Sequence, residues 1–78
     1  MVKELEELRT EIDRIDDLID LLLTKRMEIC RKIGYIKKKY NIEIRNEERE
    51  RLKLEHYVEF KNIFIEILKA CRNIQESI

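Results

Sequence analysis

Apolar residues recur at spacings of three and four along the first half of the chain, and no proline interrupts them. This spacing predicts one long helix over about residues 3–40, of heptad-like character. At 1.5 Å per residue such a helix is roughly 57 Å long, too long for the rest of a 78-residue chain to cover. We therefore expect a second copy to cover the stripe, most simply in a two-fold homodimer. The stripe comprises Leu5, Leu8, Ile12, Ile15, Ile19, Leu22, Ile29, Ile33, Ile36 and Tyr40.

The pattern stops after Tyr40, and residues 41–46 are predicted to form an irregular link. Asn46 is a residue type that caps helices well, and two glutamates follow it directly. Acidic side chains in a first turn are favoured by the helix dipole. The sequence therefore predicts a short second helix over about residues 47–56.

A last set of apolar residues predicts a third helix over about residues 60–78. No Gly or Pro marks the break before it, so one continuous helix from residue 47 to the end remains an alternative. Together these patterns predict an all-α fold in which residues 1–78 form a single helical domain.

The composition excludes some classes of function. Lysine and arginine total 17, aspartate and glutamate total 17, and the formal net charge is zero, which argues against nucleic-acid binding. No apolar run reaches the roughly 20 residues that cross a bilayer, so no membrane association is expected. Cys30 and Cys71 lack CxxC or zinc-site spacing, so reduced thiols in a cytoplasmic protein are predicted. His56, the only histidine, is expected at the surface.

Arg26 occupies a position in the apolar stripe where the spacing calls for an apolar residue. Its stem could pack in the stripe while its head reaches solvent, or it could fix the register of the helices. Alternatively, its guanidinium binds an anion. Lys37 favours the last interpretation, because it points within about 20° of Arg26 and lies roughly 16 Å further along the helix.

Three further polar residues are candidates on weaker grounds. Arg49 and Glu50 open the second helix, and Gln75 lies one turn beyond Cys71. Taken singly, each has an ordinary explanation, namely a solvated helix face or a fraying C-terminal turn.

Taken together, the stretches LRTEIDRID, RNEERE and CRNIQ, with Arg26 and Lys37 between them, resemble the all-helical chorismate mutase family over essentially the whole chain. The opening stretch matches the family signature L-R-x-x-I-x-x-[IL]-D. The resemblance implies three helices per subunit that intertwine in a homodimer, with each active site taking an arginine from the neighbouring subunit. The chain differs from typical members in having Asn46 for Asp and Cys71 for Ser, and in a shorter connection before the third helix.

Helix geometry agrees with a shared site. Arg9 lies about 25 Å from Arg26 along one straight helix, beyond reach of a common small ligand. If two long helices cross antiparallel near Ile19 to Leu22, Arg9 of the partner subunit arrives between Arg26 and Lys37.

The resemblance also implies the reaction, the pericyclic rearrangement of chorismate to prephenate in phenylalanine and tyrosine biosynthesis. This isomerisation needs no metal, cofactor or catalytic nucleophile. The family pattern places the catalytic residues at Lys37, Gln75, Arg26 and Glu50, and the substrate-binding residues at Arg9 of the partner subunit, Arg26, Asn46, Arg49 and Cys71. Two alternatives remain: isochorismate pyruvate lyase activity on the same fold, and a non-catalytic helical dimerisation module.

Overall fold

The computed structural model describes residues 2–78, which form three α-helices and no strand. Helix α1 spans Lys3–Lys39, α2 spans Glu47–His56 and α3 spans Lys61–Glu76. The described part of the chain measures 57 × 24 × 14 Å, so α1 sets its length. The predicted all-α class with a long first helix is confirmed.

Helix α1 ends in a Schellman motif, a backbone pattern that satisfies the last helical carbonyls. The amide of Ile42 donates to the carbonyl of Lys37 at 2.8 Å, and that of Asn41 donates to Lys38 at 3.4 Å. Asn41 has a φ of 54°, a left-handed conformation that asparagine tolerates better than most residues. This turn sends the link back alongside the end of α1.

Helix α2 begins where the sequence predicts. The Asn46 side chain accepts a hydrogen bond from the backbone N–H of Arg49 at 3.0 Å, which confirms the predicted N-cap.

The helix ends at His56, which is exposed. Residues 57–60 form a real break, so the continuous-helix alternative is not realised. The Tyr57 ring stacks on Phe64 with centroids 4.2 Å apart and planes 7° apart, which fixes the turn into α3.

Helix α3 packs on the C-terminal half of α1. The buried residues lie where the two helices meet: Cys30 and Gly34 on α1, Leu68 and Gln75 on α3. Gly34 permits the close approach, because an added Cβ would lie 3.0 Å from Cγ of Gln75. Close approach also brings Cys30 and Cys71 together.

Cys30 and Cys71 form a disulfide between α1 and α3, with their Cα atoms 5.5 Å apart. The prediction of reduced thiols is therefore wrong. It rested on sequence spacing, which does not show that the fold brings the two Cα atoms within the roughly 4.4–6.8 Å that a disulfide can bridge.

The apolar stripe of α1 stays largely uncovered by the chain's own residues. Leu8 is 57% exposed, Ile15 55% and Leu22 63%, whereas within residues 2–78 the buried hydrophobic residues are Cys30 and Leu68. No helix within residues 2–78 is both long and apolar enough to span a bilayer.

Candidate active site

A cavity of about 320 Å³ lies where the three helices and the link meet. This volume is within the range of small-molecule sites. Its apolar wall includes Ile29, Ile33, Ile44 and Leu68. The remaining lining residues are polar, charged or sulfur-containing, so the cavity suits a small ligand with both apolar and charged parts.

The cavity brings together all but one of the site residues predicted from the sequence. Seven of them line it: Arg26, Lys37, Asn46, Arg49, Glu50, Cys71 and Gln75. Arg9 is the exception. Its side chain is 62% exposed and pairs with Glu6 at 3.3 Å, on the half of α1 that α3 does not cover. Arg9 lies roughly 25 Å along the helix from Arg26, so it cannot reach the cavity of its own chain.

Arg26 and Lys37 approach the cavity from α1, and both are half-buried. The Arg26 guanidinium donates to Sγ of Cys30 at 3.4 Å, a weak bond because sulfur is a poor acceptor. Nζ of Lys37 donates to the carbonyl of Ile44 in the link. A guanidinium has five N–H groups and an ammonium has three, so both cations keep donors for a ligand.

Gln75 approaches from α3 and is only 6% exposed. Its Nε2 donates to the carbonyl of Cys30 at 3.1 Å and faces Sγ of Cys71 at 3.5 Å. These bonds fix which end of the amide is the donor and orient its N–H groups at the wall of the cavity.

The disulfide forms part of this wall, since Cys30 and Cys71 both line the cavity. A disulfide sulfur carries no hydrogen. The Cys71 side chain in this structure therefore cannot donate a hydrogen bond to a ligand, and the substrate contact predicted for it would be apolar or accepting.

Glu50 supplies the carboxylate of the cavity from α2. Its side chain is 15% exposed, and its Oε1 accepts a hydrogen bond from NH1 of Arg72 on α3. Nε of Arg45 lies 4.0 Å from the same oxygen. Glu50 thus accepts a hydrogen bond from one arginine and lies near a second.

Two cations that line the cavity are not among the site residues predicted from the sequence. Lys53 is on α2, with Nζ 5.8 Å from the centroid of the Tyr57 ring, and Arg72 is on α3. Arg72 follows Cys71 directly and precedes Gln75 by three positions, so helical spacing could have placed it on the same face.

The charge of the lining is strongly unequal. It includes five cationic side chains, from Arg26, Lys37, Arg49, Lys53 and Arg72, against the single carboxylate of Glu50. Such a lining favours an anionic ligand. Within residues 2–78, no His, Cys, Asp or Glu cluster could hold a metal ion.

The fold and the cavity define an all-helical protein with a small cavity, rich in cationic side chains, between three helices and a link. A family model described as chorismate mutase type II matches residues 8–76. The chain therefore belongs to the chorismate mutase type II family, whose members are isomerases.

Two curated relatives and one solved structure are similar to this chain. A bifunctional chorismate mutase/prephenate dehydratase from Aquifex aeolicus is 36% identical over 99% of the chain and 25% of its own length. A 3-dehydroquinate dehydratase from Pyrobaculum aerophilum is 35% identical over 87% of the chain and 23% of its own length. The chain thus spans about a quarter of these relatives. A conserved hypothetical protein from Pyrococcus furiosus superposes with a TM-score of 0.94 at 43% identity, covering 96% of this chain and 99% of that one.

Proposed function

We propose that this chain catalyses the rearrangement of chorismate to prephenate, a step toward phenylalanine and tyrosine, without a cofactor. The observation that carries the proposal is the cavity itself: seven residues that the family pattern selects from four separate parts of the sequence line one small cationic space. Membership of the chorismate mutase type II family supports the same substrate.

The reaction breaks the ether C–O bond of chorismate as a new C–C bond forms, and it needs no proton transfer. The protein can therefore act by holding the compact reactive conformer and by stabilising charge on the ether oxygen. We assign Arg26 to one substrate carboxylate, and Lys37 and Gln75 to the ether oxygen. Glu50 would accept from the ring hydroxyl.

The second substrate carboxylate needs another cation, and we propose Arg9 of the partner subunit. This assignment requires a homodimer. Two observations support it: Arg9 lies outside the cavity of its own chain, and the apolar stripe of α1 is exposed from Leu5 to Leu22. An antiparallel copy that covers this stripe would bring its Arg9 toward Arg26. The predicted cytoplasmic location remains a prediction.

The proposal is tested by incubating the purified chain with chorismate and following prephenate. We expect turnover in the wild type and a loss of about a hundredfold or more in Arg26→Met, because one preorganised donor to the substrate is removed. Arg31→Met is the matched control, since Arg31 is an exposed arginine of the same helix. It should retain full activity.

Three results would contradict the proposal. One is a wild type that leaves chorismate unchanged. Another is a wild type that instead converts isochorismate to salicylate, the lyase alternative. The third is full activity in Arg26→Met, which would show that Arg26 has a structural role, such as fixing the register of the helices.

A further inference from the structure

We propose that Arg72 is a positioning residue that holds the carboxylate of Glu50 toward the substrate; this inference rests on the proposed function. It starts from a hydrogen bond between helices. NH1 of Arg72 on α3 donates to Oε1 of Glu50 on α2, and the two residues are 22 positions apart. Their side chains are 23% and 15% exposed, so this pair is shielded far more than the ion pairs on the outer face of α2.

The geometry leaves one oxygen of Glu50 available. Arg72 donates a hydrogen bond to Oε1, and the more distant Arg45 lies 4.0 Å from the same oxygen. Within residues 2–78, no group donates to Oε2. A carboxylate has about four acceptor positions, so a bond at one oxygen leaves the other able to accept a hydrogen bond from a hydroxyl.

Little else fixes Glu50 in place. Helix α2 has ten residues and none of them is fully buried. The helix as a whole is therefore weakly anchored by packing, and a charge-assisted hydrogen bond to α3 orients this carboxylate. Arg72 shares its helix with Gln75, so one rigid element would set both the carboxylate and the amide of the cavity.

Two roles for Arg72 can be separated. If it acts through Glu50, its loss weakens the contact to the substrate hydroxyl, which is made in the ground state and in the transition state alike. Loss of such uniform binding raises KM more than it lowers kcat. If Arg72 instead binds a substrate carboxylate directly, its replacement raises KM by the same factor whether or not Glu50 is intact.

The test is a double-mutant cycle in mutase activity. Arg72→Met is expected to raise KM for chorismate about tenfold with kcat within about threefold of wild type, and Arg72→Lys is expected to recover most of the loss. In a Glu50→Gln background, Arg72→Met should change KM by less than about twofold, because the group it positions is already altered.

Arg51→Met is the matched control. Arg51 is an exposed arginine of α2 that pairs with Glu48 and Glu55, each at 2.6 Å, outside the cavity. Hydrogen bonds to Glu48 and Glu55 raise the pKa of Arg51 above its ordinary value, so it stays charged. Its replacement should leave both kinetic constants unchanged.

The outcomes distinguish this inference from the function on which it rests. An inactive wild type overturns the proposed function and the inference with it. An active wild type with an unchanged KM in Arg72→Met overturns the inference alone. The inference is also overturned if Arg72→Met raises KM by the same factor in the wild type and in the Glu50→Gln background. That result would assign Arg72 to direct substrate contact. Circular dichroism and solution mass establish that each variant keeps its fold.

Discussion

At the scale of single residues, Gln75 shows how the cavity combines rigidity with an available donor. Its amide is buried and bonds the Cys30 carbonyl at 3.1 Å, while its distance to Sγ of Cys71 is 3.5 Å. Sulfur is a weak acceptor, so a substrate oxygen can replace it at little cost. The neutral amide also donates at any pH near neutrality, which gives the site a donor that does not titrate.

The variant Gln75→Glu tests this donor role. A carboxyl group donates only when protonated; its ordinary pKa is about 4.3, and burial raises it. Donation is therefore present below the pKa in the folded protein and is lost as the pH rises through it. We expect kcat/KM of the variant to fall steadily toward pH 8.

The wild type should instead show a nearly flat kcat/KM profile between about pH 6 and pH 8, because an amide does not titrate. The neighbouring exposed carboxylate provides a control, Glu76→Gln, which should follow the wild-type profile. Parallel profiles for Gln75→Glu and the wild type would contradict a donor role for this side chain.

At the scale of the helices, the site depends on how closely α3 approaches α1. A Cβ on Gly34 would lie 2.5 Å from Cδ1 of Ile78 and 3.2 Å from Cα of Gln75. The isoleucine side chain can rotate away, but the backbone of Gln75 can move aside only if α3 itself shifts. The glycine therefore sets the position of Gln75 in the cavity.

Gly34→Ala should separate activity from stability. The substitution gains roughly 1 kcal/mol in helix propensity and loses about 1–3 kcal/mol to overpacking, so the free energy of unfolding should fall by about 0–2 kcal/mol. Activity should fall about tenfold or more, because Gln75 is displaced from the place that we propose for it near the ether oxygen.

Denaturant unfolding and mutase assays measure the two effects of Gly34→Ala. The double variant Gly34→Ala/Ile78→Ala relieves the clash with the isoleucine but leaves the one with Gln75, so it should stay impaired. Full activity in that variant would show that the loss of activity in Gly34→Ala comes from the contact with Ile78 and not from the contact with Gln75.

The disulfide links α1 and α3 covalently, in addition to their packing at Gly34. It joins cysteines 41 positions apart. In the chain-entropy account, closing a loop of this length stabilises the fold by about 4 kcal/mol. Reduction should therefore lower the melting temperature measurably.

Thermal unfolding with and without dithiothreitol measures the contribution of the disulfide. The variant Cys30→Ser/Cys71→Ser is the control, and its melting temperature should not respond to the reductant. An equal response in both proteins, or none in either, would contradict a stabilising disulfide.

The elements that the sequence predicted well are those with local signals. Spacings of three and four specified α1, and Asn46 followed by glutamates specified the start of α2. The disulfide and the Arg72–Glu50 pair depend instead on how α3 packs against the other helices. Neither leaves a local signature, because two cysteines 41 positions apart and one more arginine among many charged residues do not stand out in the sequence.

At the scale of the whole molecule, a single chain does not cover the apolar stripe of its own α1. Its long helix exposes about half of the accessible surface of residues such as Leu5, Ile12 and Ile19. Exposed apolar area on this scale is normally covered by a partner. The same half of α1 carries Arg9, away from the cavity. A second copy would therefore complete the hydrophobic core and the cationic site together.

The most direct test of the proposed shared site mixes two variants that should be inactive, Arg9→Met and Arg26→Met, which are unfolded together and refolded to exchange subunits. Random pairing makes half of the dimers mixed, and each mixed dimer has one site with both arginines intact, so about a quarter of wild-type activity should return. Arg9→Met and Arg26→Met refolded separately should stay inactive. A mixture that remains as inactive as its parents, after mass spectrometry shows that subunits have exchanged, would contradict a site built from two chains.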